Sequence, residues 1–336
     1  MSKVDIISIA KALNLSKSTV SRAFKENSDI NPNTKARILT LAKELNYRPN
    51  HYASQMRGQK SNTIAVVVPE IANNFFTQII QGVETIAKEN GYHVLIFVTD
   101  DDLDKEREFV TSISNGRVDG VLMSVTGEGK DHSYLHNIDF KKMPIVFFDR
   151  VYDDVLLPRI ITDDYQSSFD ATAHLINEGC QRIAYLVVNK EESIGKNRYL
   201  GYKDALAKYG IAYRDELVVN CNNSYDDNEV TISNLIAHIH VDGIFASVER
   251  LAFSTYYVCQ RLGVVIPDDL KIIAFSSLQI APLLSPGLST VTQPAEEMGR
   301  EGAKMLLQFL ENESVFIAPK EVVLHSELVI RKSSLC

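Results

Sequence analysis

Residues Ile9–Phe24 read IAKALNLSKSTVSRAF, two short amphipathic segments around a turn. Just upstream, Asp5 can cap a helix beginning at Ile6. Its apolar positions Ile6, Ile9, Ala10 and Leu13 follow the i, i+3, i+4, i+7 spacing of one helical face. Asn14 tolerates the left-handed backbone that ends a helix sharply, and Leu15 can plug the core from the turn. Ser16 is then suited to cap a second helix, Lys17 to about Phe24. Helix, tight turn and helix at this spacing predict a helix-turn-helix. Val20, Ala23 and Phe24 face inward. Lys17, Ser18, Ser21, Arg22 and Lys25 face outward, with no outward carboxylate before Glu26. Small hydroxyls and long cations suit a major groove lined with acceptors and phosphates. Asn31-Pro32 opens a third helix, with Pro32 in its first turn and Ile38, Leu41, Ala42 and Leu45 as its apolar stripe.

The charge distribution agrees with this reading. The chain of 336 residues carries a net charge of −8, but residues 1–60 hold 11 Lys and Arg against 4 Asp and Glu. A head of +7 therefore sits on a remainder of −15, the asymmetry of a protein that touches nucleic acid at one end. The length suits about two domains, and 45% hydrophobic with 23% charged residues is a globular composition. No apolar run reaches the ~18 residues of a membrane span. Met1-Ser2-Lys3-Val4-Asp5 leads into an amphipathic segment instead of a secretory leader, so a cytoplasmic location is expected. Cys180, Cys221, Cys259 and Cys336 are scattered and read as free thiols.

Beyond the third helix, Pro49 breaks the pattern and Asn50 can cap a two-turn helix, His51 to Arg57, before Gly58. Such a segment is too short to hold itself in water; a linker disordered off DNA is the other reading. From Thr63, short β-branched runs alternate with helical stretches. Ile64–Val68, His93–Val98, Gly120–Ser124, Pro144–Phe148, Arg182–Val188, Gly243–Ala246 and Lys271–Phe275 read as strands. Phe76–Asn90, Tyr165–Glu178, Arg198–Tyr209 and Arg250–Leu262 read as helices. Continuous apolar strands between helices predict α/β architecture with two doubly wound parallel sheets. Ligands of such sheets bind at the carboxyl ends of the strands. The loops there offer Asn74, Phe75 and Phe76, then Arg150 beside Asp149, Arg198 at a helix start, Glu249 and Ser276 as candidate effector-binding residues. Amides and cations can bond hydroxyls or acids, and rings can stack on a sugar face.

The Ser-x-x-Thr-Val-Ser-Arg core and the exit Leu45-Asn46-Tyr47-Arg48-Pro49-Asn50 closely resemble the lactose-repressor-type (LacI/GalR) family. So do Gly179-x-x-Arg182-Ile183-Ala184, Arg198-x-x-Gly201-Tyr202, Leu288-Ser289-Thr290-Val291-x-Gln293-Pro294 and Leu328-Val329-x-Arg331-x-Ser333. The resemblance spans essentially the whole chain. It implies an all-α helix-turn-helix head (1–46), a hinge (47–60) and a periplasmic-binding-protein-like core (61–336). In that core an N-subdomain (about 62–161 and 292–320) faces a C-subdomain (about 162–291 and 321–336). It implies that Lys17, Ser18 and Arg22 read bases, and that Thr19, Ser21 and Asn50 position the backbone, with Tyr47 counted among the DNA-binding residues. Ala53 and Met56 would supply the close approach and the apolar wedge of a minor-groove hinge. The implied assembly is a homodimer involving helix Phe76–Asn90, on a pseudo-palindromic double-stranded DNA operator, tuned by a small carbohydrate-derived effector that acts as inducer or corepressor.

Two departures bear on that effector. The family has Phe-Asp-Asp where Phe275-Ser276-Ser277 stands, and Asn-Asp where Val248-Glu249 stands. With one anionic acceptor lost and Arg150 and Arg198 kept, a sugar acid or sugar phosphate is expected. Control by a partner protein, or a plain solute-binding role, are the alternatives. No cofactor, metal or catalytic role is expected. Asp100-Asp101-Asp102 reads as solvated caps, His238-x-His240 lies on an extended segment without a third ligand, and Gly127-x-Gly129-Lys130 lacks phosphate-loop spacing.

Overall fold

The computed structural model describes residues 6–24, 30–45, 47, 60–113, 116–126, 131–188, 190, 193–222, 224–312 and 320–335. Asp5, Lys25, Asn50, Ala53, Met56 and the expected hinge helix lie outside these. The chain divides into two units, Met1–Ser61 and Asn62–Cys336.

In the first unit, α1 (Ile6–Ala12), α2 (Lys17–Ala23) and α3 (Pro32–Glu44) enclose Ile9, Ala10, Val20, Ala23, Ile38 and Ala42. Asn14 takes the left-handed conformation (φ 51°) that turns the chain between α1 and α2. Ser16 caps α2 by accepting from the Thr19 N–H, and Asn31 caps α3 by accepting from the Asn33 N–H. Tyr47, assigned to the hinge from sequence, returns to this core. Its N–H reaches the Ala42 carbonyl at 2.8 Å and its ring lies 5.8 Å from Phe24. Leu45 leaves the expected stripe and is 38% exposed.

The second unit holds two six-stranded sheets. The first comprises β1 (Thr63–Val68), β2 (His93–Val98), β3 (Gly120–Met123), β4 (Ile145–Phe148), β5 (Arg159–Thr162) and β11 (Glu321–Leu324). Their order is β11-β5-β4-β3-β1-β2, all parallel. The second comprises β6 (Ile183–Val187), β7 (Val218–Asn220), β8 (Gly243–Ala246), β9 (Lys271–Phe275), β10 (Ser289–Thr292) and β12 (Glu327–Val329). Its order is β12-β10-β9-β8-β6-β7, with β12 antiparallel to β10. Both faces of the central strands are covered. Ile64, Val66 and Val68 of β1 enter one core while Ala65 and Val67 enter another, which is why the strand reads as an unbroken apolar run.

Among the described residues seven α-helices flank the sheets: α4 (Asn74–Glu89), α5 (Leu103–Ile113), α6 (Asp164–Asn177), α7 (Ser193–Lys208), α8 (Tyr225–Asn234), α9 (Glu249–Leu262) and α10 (Ala295–Glu311). The expected division of the subdomains is corrected at the third crossing. β11 pairs with β5 over Glu321–Leu324, so the chain leaves the first sheet after Leu324, not at residue 320. The half-exposed alternation of β11 carries no buried-strand signal. His238, read as extended, lies in a wide helical turn over Leu235–Ile239.

The three crossings are tied together. Asp163 accepts from the Ser326 N–H at 2.9 Å and pairs with His325 Nδ1 at 3.0 Å, while the Gln293 amide donates to the Thr162 hydroxyl at 3.0 Å. Within the first subdomain, α4 and α10 cross through glycines. A Cβ on Gly299 would strike the Ile79 carbonyl, and one on Gly82 would strike the Glu296 carbonyl. Gly299→Ala is expected to lower unfolding stability by about 1–3 kcal/mol through backbone overpacking. Denaturant titration of the purified chain measures it, and an unchanged midpoint would show that the crossing can relax.

Candidate functional site

The outward face of α2 presents Lys17, Ser18 and Arg22, all exposed, with Thr19 and Ser21 half-buried. α2 itself contains no acidic residue. Ser16 Oγ accepts from the Thr19 N–H at 3.0 Å and lies 2.8 Å from the hydroxyls of both Ser18 and Thr19. The hydroxyl cluster therefore sits at the N-terminal end of the helix, where donors and positive dipole favour anions. Tyr47, expected to touch DNA, packs on Phe24 and supports α2 from behind.

In the second unit the carboxyl ends of the strands meet around a cavity lined from both sheets, the place where ligands of such sheets bind. Phe75, Phe76 and Arg150 wall it from the first sheet; Arg198, Glu249 and Ser276 wall it from the second. Asn74 is the exception among the sequence candidates. Its amide donates to the Ser277 carbonyl at 2.5 Å, joined by the Gln78 amide at 2.8 Å. The first turns of α4 thus clasp the opposite subdomain. Asn73 caps α4 by accepting from the Phe75 N–H, which fixes the edge-to-face pair Phe75–Phe76 at 5.4 Å. Glu70 and Gln293 also line the cavity. Neither is among the sequence candidates: Glu70 lies past the end of β1 with no pattern to mark it, and Gln293 enters there only as part of a motif shared with the family.

Arg198 stands in the second turn of α7, not at a helix start, and is 3% exposed. Its Nε donates to Asp164 Oδ1 at 2.6 Å and its Nη1 to the Ser247 carbonyl at 2.8 Å. Its Cζ lies 3.8 Å from the Phe275 ring centroid. Arg150 donates to Asp101 Oδ1 at 2.5 Å, so Asp101 is an ion partner and not the solvated cap expected. Arg250 faces Glu70 at 3.5 Å. Each arginine of the wall therefore meets a carboxylate, which removes the premise for an acidic effector. The acceptor missing at Ser276 is also restored from the neighbouring strand end. Ser276 donates its hydroxyl to Glu249 Oε2 at 2.8 Å. Burial raises the Glu249 pKa, against the hydrogen bonds from Ser276 and the Asn74 backbone.

Asp149 is the strained member of the wall. Its φ is 59°, unusual for a residue other than glycine, and its N–H is held by the Ile160 carbonyl at 3.0 Å. Asp149 is 4% exposed, and its carboxylate receives only a stretched contact, 3.5 Å, from Ser124 Oγ among the described residues. Burial pushes its pKa up from 3.8 to about 6, with Arg150 and Arg198 pulling the other way. The native state then holds this proton where the unfolded chain releases it, so stability declines as pH rises from about 4 to about 6 and stays lowered above. Asp149→Asn should remove that decline and raise stability at pH 7 by about 2–3 kcal/mol. Unfolding titrations at several pH values test this; a variant less stable than the parent at pH 7 would refute it.

Comparison with known proteins places both units. Residues 5–50 match the family model of bacterial regulatory proteins of the lacI family. Residues 61–325 match that of periplasmic binding proteins and the sugar-binding domain of the LacI family. The chain is 30% identical over 335 residues to the HTH-type transcriptional regulator DegA of Bacillus subtilis (strain 168), covering 99% of this chain and 98% of that protein. It is 29% identical to the ribose operon repressor of Halalkalibacterium halodurans, covering 97% and 96%. Among solved structures, the transcriptional regulator CelR in complex with cellobiose superposes with a TM-score of 0.74 at 25% identity, covering 98% of this chain and 100% of that one. No described helix is long and apolar enough to cross a membrane. The protein belongs to the lacI family of bacterial regulatory proteins, DNA-binding transcriptional regulators in which a helix-turn-helix head is joined to a periplasmic-binding-type sugar-binding domain.

Proposed function

We propose that this chain is a repressor that binds a pseudo-palindromic operator as a homodimer, with its affinity set by a small carbohydrate-derived effector in the cleft. The observation that carries the reading is the cavity whose walls come from both sheets, on a chain whose head exposes Lys17, Ser18 and Arg22 on one helix. A ligand touching both walls binds one arrangement of the subdomains better than another and so shifts their equilibrium. In this proposal the shift alters the spacing of the two hinge segments, which order over the minor groove at close spacing and melt at wider spacing. Ala53 and Met56 would make that approach and wedge. Leu95 and Ile96, 42% and 39% exposed on edge strand β2, support a second copy beside the first subdomain. The solved relatives with bound cellobiose and bound D-xylulofuranose support a polyhydroxylated ligand.

At the head, Arg22 is assigned a bidentate contact to guanine, Lys17 and Ser18 neighbouring base contacts, and Thr19 and Ser21 phosphate contacts. Tyr47 holds the end of α2 against the head core. Arg22→Ala is expected to cost about 1–3 kcal/mol of operator affinity and to relax discrimination at one base pair of each half-site. Selection of binding sites by the purified chain, followed by gel shifts on single-pair operator variants, reads both effects. Equal loss on every sequence would make Arg22 a phosphate contact only. A chain that is monomeric and prefers no duplex over random competitor would end the whole reading.

A further inference from the structure

Among the described residues the cleft contains more negative charge than its arginines answer. Among the described residues the charged groups of its wall are Glu70, Asp149, Arg150, Arg198, Glu249 and Arg250. Arg150 and Arg198 are met by acids outside the wall, Asp101 at 2.5 Å and Asp164 at 2.6 Å. Arg250 faces Glu70 at 3.5 Å. Asp149 and Glu249 remain in excess. Asp149 is almost wholly buried with one stretched hydrogen bond. Glu249 has taken the place of the acceptor absent at Ser276 and holds that hydroxyl. A buried carboxylate without a matching charge is costly, and the cavity is the space in which a matching charge can be placed.

We propose that the effector carries a positive charge: a polyhydroxylated amine, with an amino sugar as the simplest member. Its ammonium answers Asp149 and Glu249, and its apolar ring face covers the Phe75–Phe76 pair. The assignment rests on the cleft being the effector site and adds the ligand's charge class. It reverses the acidic ligand expected from sequence, because the two arginines on which that expectation rested each have a carboxylate partner.

The test uses the full chain and matched sugars in the gluco, galacto and manno series. Each is supplied as the neutral parent, the 2-amino derivative and the uronate, with affinities from calorimetry and thermal shift. In the series that binds, the amine should bind at least about tenfold tighter than its parent, and the uronate should not bind. Glu249→Gln should bring the amine-to-parent ratio below about threefold, while Glu249→Asp, which keeps the charge, should preserve the preference. The amine's affinity should weaken as pH falls through about 6, where Asp149 takes up its proton beside Arg150, Arg198 and Asp164. A parent or uronate that binds as tightly as the amine overturns the charge assignment. If that parent also shifts operator affinity, control by a cleft ligand still stands. Failure of every compound to bind overturns both.

Discussion

The guanidinium of Arg198 holds the second subdomain in the shape that makes a cleft. Taking a cation out of water costs several kcal/mol even after relaxation. Here three contacts offset that cost: the Asp164 carboxylate, the Ser247 carbonyl and the Phe275 ring. The three come from α6, the loop after β8 and the end of β9, so one side chain sets the spacing of all three with α7. Close packing of α6 on α7 is part of the same arrangement. Gly201, one turn beyond Arg198, leaves room for the Tyr165 carbonyl, and Ser168 donates its hydroxyl to the Arg198 carbonyl at 2.5 Å. Arg198 is thus structural first. It presents an already neutralised edge to the cavity, which is why its presence in the wall does not select an anion.

The first subdomain is stiffened by different means. α4 and α10 touch backbone to backbone through Gly82 and Gly299, leaving little freedom within the layer that carries Phe75 and Phe76. The two subdomains are joined at the three crossings, where Asp163, His325, Ser326, Gln293 and Thr162 form a short polar seam. On the lip of the cleft, Asn74 and Gln78 reach the Ser277 carbonyl. A ligand that changes the separation of the lips acts directly on this clasp.

The head was legible nearly in full because its determinants are local. Helix periodicity, the caps Ser16 and Asn31, and the left-handed Asn14 each lie within a few residues of what they control. The buried strands β1, β3, β4, β6, β8 and β9 were legible for a related reason: burial on both faces leaves a continuous apolar run. The short β5 and β7 and the part-exposed edge strands β11 and β12 left no such trace. Of the candidate cleft residues, all but Asn74 reached the cavity wall, since strand ends converge there whatever their side chains. Asn74 did not, because a helix that begins two residues earlier than expected, at Asn74 itself, turned its amide to the opposite lip.

The linear chain by itself determined the helices and turn of the head, four of the seven described helices of the body, the strands β1, β3, β4, β6, β8 and β9, and that a basic head precedes an acidic body, because these depend on spacing and composition over short windows. Only the tertiary structure decided the electrostatics of the cleft. The partners of its charges lie far along the chain: Arg150 meets Asp101, Arg198 meets Asp164, Arg250 meets Glu70, and Ser276 meets Glu249. Charge interactions depend on distance in space and on local burial, and neither quantity is written in sequence order.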